Sequence, residues 1–103
     1  MGLFSKLFGK KEKPDLAVLI QQGAIILDVR TPQEFKSGHI PGAMNIPVQQ
    51  LNQQLHRLKK DKVIITCCAS GARSAMARSI LKQAGFPEVY NGGSWMSLRN
   101  QIR

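Results

Sequence analysis

Long apolar runs are scarce in this 103-residue chain. The longest, Leu16 to Ile20, is far short of the roughly 20 residues that span a bilayer, which excludes a helical membrane span. Cysteine is scarce too: Cys67 and Cys68 are the whole supply, and they are adjacent. Neighbouring cysteines cannot staple distant segments, and a ring between them would be strained, so a disulfide scaffold is excluded. The first eleven residues are apolar and basic, but no long apolar core or small-residue cleavage site follows. A cytoplasmic location is therefore expected, with both thiols free in a reducing compartment. Aromatic residues number six, and Phe4 and Phe8 are two of them. The basic residues are thus not interleaved with stacking rings, and no nucleic-acid partner is expected. Acidic residues are few as well. Six Asp and Glu against fifteen Lys and Arg give a formal charge of +9, which suits small anionic substrates or a solvated basic face.

What is present is an ordinary globular composition, 43% hydrophobic and 20% charged, long enough for one domain. Residues 1–13 read as a basic leader. Leu3, Phe4, Leu7 and Phe8 fall at one-sided helical spacing, so weak contact with a membrane surface through this segment is conceivable, beside the plainer reading of a frayed leader. Residues 14–103 form the domain proper. Asp15 to Gln22 reads as a short helix closed by Gly23, and Ala24 to Val29 as a buried strand. Pro32 to Lys36 is a helical turn stopped by Gly38, and Ala43 to Pro47 a short strand. Val48, Leu51, Leu55 and Leu58 lie at helical spacing within Val48 to Lys60. Val63 to Cys67 is a second strongly apolar strand. Ser74 to Ala84 reads as a helix with Met76, Ile80 and Leu81 turned inward and Gly85 at C′. Glu88 to Asn91 is a last strand, followed by Gly92-Gly93 and by Ser94 as the cap of a terminal helix. This alternation predicts an α/β domain with a mostly parallel sheet flanked by helices.

Chemistry is concentrated where the second strand runs into Cys68-Ala69-Ser70-Gly71-Ala72-Arg73-Ser74. Ligands of open α/β sheets bind at the carboxyl ends of strands. Small residues let successive backbone N–H groups turn inward as an anion nest, and the helix that follows adds its positive end. With Arg73 as the main side-chain electrostatic partner, these effects favour a Cys68 thiolate, with a pKa below the free value of about 8.5. Cys67 reads as a small buried hydrophobe ending the strand. Ser70 and Ser74 could donate to the sulfur, with Ser74 first a helix cap. Asp28 and Arg30 are read as fixing the next turn, His39 as bonding backbone, and His56 as solvated.

The same stretch resembles the C-x-x-G-x-R-S active loop of rhodanese-like domains. Asp28-Val29-Arg30, Glu34-Phe35, Gly38-His39-Ile40-Pro41-Gly42-Ala43 and Asn45-Ile46-Pro47 resemble that family's first signature. Asn91-Gly92-Gly93 resembles its glycine pair, although Trp95 follows sooner than is usual there. The resemblance implies a single α/β domain with a central parallel sheet, and a sulfurtransferase whose loop cysteine carries sulfur as a persulfide. Cys68 would be the catalytic residue, with Ala69, Ser70, Gly71, Ala72, Arg73 and Ser74 forming the loop that binds the persulfide. The implied partners are a small anionic donor such as thiosulfate, or a persulfide, and a cyanide, thiol or protein acceptor. No metal or organic cofactor is needed for thiol exchange on such a cradle. The alternative is a non-enzymatic sulfur carrier or interaction module of the same fold. A phosphatase or arsenate reductase is a weaker fit, because similar phosphatases carry a loop one residue longer, C-x5-R.

Overall fold

A computed structural model describes residues 14–102, so the expectations for the basic leader lie outside the described residues. The chain begins with α1 (Leu16–Gln21), whose cap is Asp15: its carboxylate accepts from the N–H groups of Ala17 and Val18. There follow β1 (Ile25–Asp28), α2 (Pro32–Lys36) and the two-residue β2 (Met44–Asn45). Two 3-10 turns, Val48–Gln53 and Leu55–Arg57, lead to β3 (Ile64–Cys68). The chain closes with α3 (Ala72–Gln83), β4 (Val89–Ser94) and α4 (Trp95–Ile102). All pairings are parallel and the strand order is β2-β1-β3-β4. The predicted α/β fold with a parallel, helix-covered sheet is what the chain adopts.

Burial on both faces explains why the central strands read as nearly continuous apolar runs. Leu27, Ile64 and Cys68 face one side with Ala77 and Leu81 of α3, Leu51 and Leu58 of the 3-10 region, and Phe86. Ile26, Ile65 and Cys67 face the other side with Leu98 of α4 and the partly buried Leu16, Leu19 and Ile20 of α1. The two-residue period of a strand thus sends the adjacent cysteines to opposite sides of the sheet.

Three local expectations change. The apolar spacing over Val48 to Lys60 belongs to consecutive 3-10 turns, not to one helix. The i, i+3 pairs Val48/Leu51 and Leu55/Leu58 serve such turns equally well, and Gln54, at φ −125°, interrupts them. Met76 is 57% exposed, while Ser74, Ala77 and Leu81 form the buried stripe of α3. The inward stripe runs one position away from Met76, and small Ala77 lets the helix sit close to the sheet. β3 ends at Cys68 and not Cys67, because β4 continues through the glycines to pair Ser94 with Cys68 past an irregularity in register. Gly92 makes that closeness feasible: a Cβ there would lie 2.8 Å from the Thr66 carbonyl oxygen and 3.1 Å from Leu98 Cδ2.

Candidate active site

The chain leaves β1 toward β2 on one side and returns to β3 on the other, so the carboxyl ends of β1 and β3 lie at a topological switch point. Both ends carry the polar residues singled out in the sequence. Asp28 ends β1 fully buried, and its carboxylate accepts from Arg30 Nε at 2.9 Å and Nη2 at 2.7 Å. Arg30 also donates to the carbonyls of Glu34 and Gly38, and its guanidinium lies 4.7 Å from the Trp95 ring centre. This buried pair ties the end of β1 to the turn after α2 and to α4, which is the turn-fixing role expected of it. His39 Nδ1 lies 2.7 Å from the Phe35 carbonyl and His56 is exposed, also as expected.

At the end of β3 the Cys68 sulfur is fully buried beneath its loop. It accepts from Gly71 N at 3.0 Å and from Ser74 N at 3.3 Å, and the Ser74 hydroxyl oxygen lies 3.5 Å away. Gly71 permits this turn, for its φ of +108° is a left-handed conformation that a side chain would strain. Burial pushes the Cys68 thiol up, but hydrogen bonding with the Ser74 hydroxyl and hydrogen bonds from the N–H groups of Ser74, Gly71 and Ser70 outweigh it. The net effect holds the group below its ordinary value. Burial also pushes up the Cys67 thiol, and there the Asp28 carboxylate adds to the effect, raising it to about 12. The loop residues Ala69, Ser70 and Ala72 are exposed, and Gly71 and Arg73 half-buried.

This geometry revises one role expected from the amino-acid pattern and adds a partner to another. Ser74 is not the helix cap; Gly71 holds the cap position, and Ser74 lies three residues later with its hydroxyl 3.0 Å from the Gly71 carbonyl. The Arg73 side chain, expected as an electrostatic partner of Cys68 and still coupled to its charge, is not a free cation. Its guanidinium donates to both carboxylate oxygens of Glu34, at 2.8 and 3.1 Å. Glu34 is available because a capping box with Thr31 already fixes its carboxylate.

Glu34 and Asn91 are members of the site that the sequence reading named only within signature segments and gave no role. Asn91 Oδ1 accepts from the Ser74 hydroxyl at 2.6 Å and from Gly93 N at 2.9 Å, linking β4 to the loop. Thr66 Oγ1 donates to the Ser74 carbonyl at 2.8 Å and fixes the first turn of α3 to β3. The Thr31-x-x-Glu34 pattern is a readable signal for an ordered carboxylate. No comparable pattern marks Asn91 beyond the glycines that follow it.

A family model described as the rhodanese-like domain matches residues 12–97. The uncharacterized protein YqhL of Bacillus subtilis is 43% identical over 68 residues, which are 66% of this chain and 54% of that protein. The chain therefore spans about half the length of YqhL. The thiosulfate sulfurtransferase GlpE of Pseudomonas syringae pv. syringae is 34% identical over 83 residues, covering 80% of this chain and 78% of GlpE. The solved structure of the human single-domain sulfurtransferase TSTD1 superposes with a TM-score of 0.68 at 30% identity, covering 82% of this chain and 88% of that one.

Proposed function

This chain belongs to the rhodanese-like family, and from that premise we propose that it is a sulfurtransferase with Cys68 as its catalytic residue. The observation that carries the reading is the ring of donors on one sulfur: Gly71 N and Ser74 N both point at Cys68 Sγ. Such an array stabilises a thiolate before reaction and a persulfide after it.

In the first half-reaction the Cys68 thiolate attacks the outer sulfur of a donor. With thiosulfate, the new S–S bond forms as the old one breaks, and sulfite leaves with the bonding pair. In the second, a cyanide or thiolate nucleophile attacks the outer sulfur of the persulfide and the Cys68 thiolate departs. Backbone N–H groups of the loop from Ala69 to Ser74 hold the anionic sulfur in both states. The exposed side chains of Ala69, Ser70 and Ala72 are small and uncharged, so little bulk has to move aside for a donor to reach the buried sulfur. The parallel sheet and the Asp28–Arg30 pair position this cradle without touching the reacting atoms.

Intact mass spectrometry after separate incubation with thiosulfate and with cysteine persulfide tests the proposal. One cyanide-removable sulfur on the parent, absent from Cys68→Ser, is the expected result. No added sulfur from either donor on folded, reduced protein would overturn it.

A further inference from the structure

Arg73 is the only charged side chain between Cys68 and Ser74, and it is matched by a carboxylate from another element. Fork-on-fork pairing of guanidinium and carboxylate is the strongest geometry available to such a pair. Glu34 cannot easily turn away, because its Oε1 also accepts from Thr31 N at 2.9 Å. The hydrogen bonds from Arg73, reinforced by that from Thr31, hold the Glu34 carboxyl at about 2. The pair is therefore ionised, with no net charge, at every pH where a thiolate works. Arg30, just past the end of β1, is matched in the same way by Asp28.

The sulfur thus faces uncharged N–H groups and small side chains, with its nearby positive charge already balanced. A thiosulfate dianion approaching a thiolate under these conditions meets repulsion that the loop's own cation, held by Glu34, does not fully offset. An organic persulfide carries at most one negative charge on its sulfur pair, against the two of thiosulfate, and it reacts as the protonated R–S–S–H. The thiolate forms a bond to its outer sulfur, and the S–S bond to R–S breaks with its electron pair going to the leaving thiolate. The outer sulfur carries its proton through the transfer and then gives it to the departed thiolate or to water, leaving the anionic persulfide, and no oxidant or reductant is consumed. Resting on the sulfurtransferase reading above, we propose that the Glu34–Arg73 pair selects the donor. It withholds the loop's cation and so favours organic persulfides over thiosulfate.

Rates of Cys68 sulfur loading from thiosulfate and from cysteine persulfide, read by intact mass, test this in the parent, Glu34→Gln, Arg73→Gln and the double variant. Releasing Arg73 in Glu34→Gln should raise the thiosulfate rate about tenfold relative to the persulfide rate. The gain should shrink at high salt and vanish when Arg73→Gln is added. Glu34→Ala serves as a second release variant should the amide pair too well with the guanidinium. Loading by both donors with an unchanged ratio in both release variants overturns this inference alone, as does a gain that survives Arg73→Gln. Failure of both donors to load the folded parent overturns the sulfurtransferase reading together with it.

Discussion

Cys67 and Cys68 are joined by one peptide bond, and neither thiol is exposed. On one side of the sheet Cys67 packs with Ile26, Ile65 and Leu98, with the Asp28 carboxylate near enough to oppose a second negative charge. On the other, Cys68 is buried just as fully but receives hydrogen bonds from Gly71 N and Ser74 N. Exposure therefore does not separate an inert cysteine from a nucleophile here. The separation comes from the polar groups that a strand end and a helix start direct at one sulfur and not at its neighbour.

The contrast can be broken most completely at Cys68 itself: Cys68→Ser should abolish sulfur uptake from every donor, read by intact mass. Next in size is Asp28→Ala, which leaves the buried Arg30 cation without its carboxylate. Loss of about 3–5 kcal/mol in urea unfolding is expected, and any folded variant should show Cys67 ionising at lower pH. Ser74→Ala removes the hydroxyl from the Cys68 side only. It should raise the Cys68 pKa and slow alkylation at neutral pH by about three- to tenfold, consistent with roughly 1 kcal/mol for one hydrogen bond. The smallest effect is expected from Cys67→Ser, with transfer rates within about twofold of the parent.

Alkaline titration sharpens the same comparison. Thiolate absorbance should rise in two separated steps, the first from Cys68 below the ordinary thiol range and the second from Cys67 near 12. The linkage to stability has opposite signs. Native Cys68 gives up its proton earlier than an unfolded thiol, so its contribution grows as pH rises toward 9 and is lost as pH falls through its folded pKa. Native Cys67 keeps its proton after an unfolded thiol has lost it, so stability falls as pH rises from about 9 to 12. Urea midpoints measured across both windows check the two signs.

Much of this contrast is visible in the amino-acid pattern. The apolar strand followed by small residues, a glycine and a helix places the nest, and Asp15 and Gly85 mark a helix start and a helix end by local hydrogen bonding alone. The positions that escape are those decided by another element. Arg73 reads as a loop cation until α2 presents Glu34 to it. Met76 reads as core until the sheet selects the stripe carrying Ala77. Cys68 reads as loop until Ser94 extends the pairing, and Asn91 gains its role only when β4 lies beside α3. Local chemistry sets what a segment can form, and long-range neighbours set which side chain it presents.

Gly92 carries the same lesson to the level of inheritance. Its backbone needs no left-handed turn, but there is no room for a Cβ between the Thr66 carbonyl, Ile65 and Leu98. Any replacement pushes β4 away from β3 and α4, at a cost of about 1–3 kcal/mol for overpacking, and displaces Asn91 from the Ser74 hydroxyl. In a library of random variants selected for sulfur transfer, Gly92 should consequently be nearly as intolerant as Cys68, although it never meets a substrate.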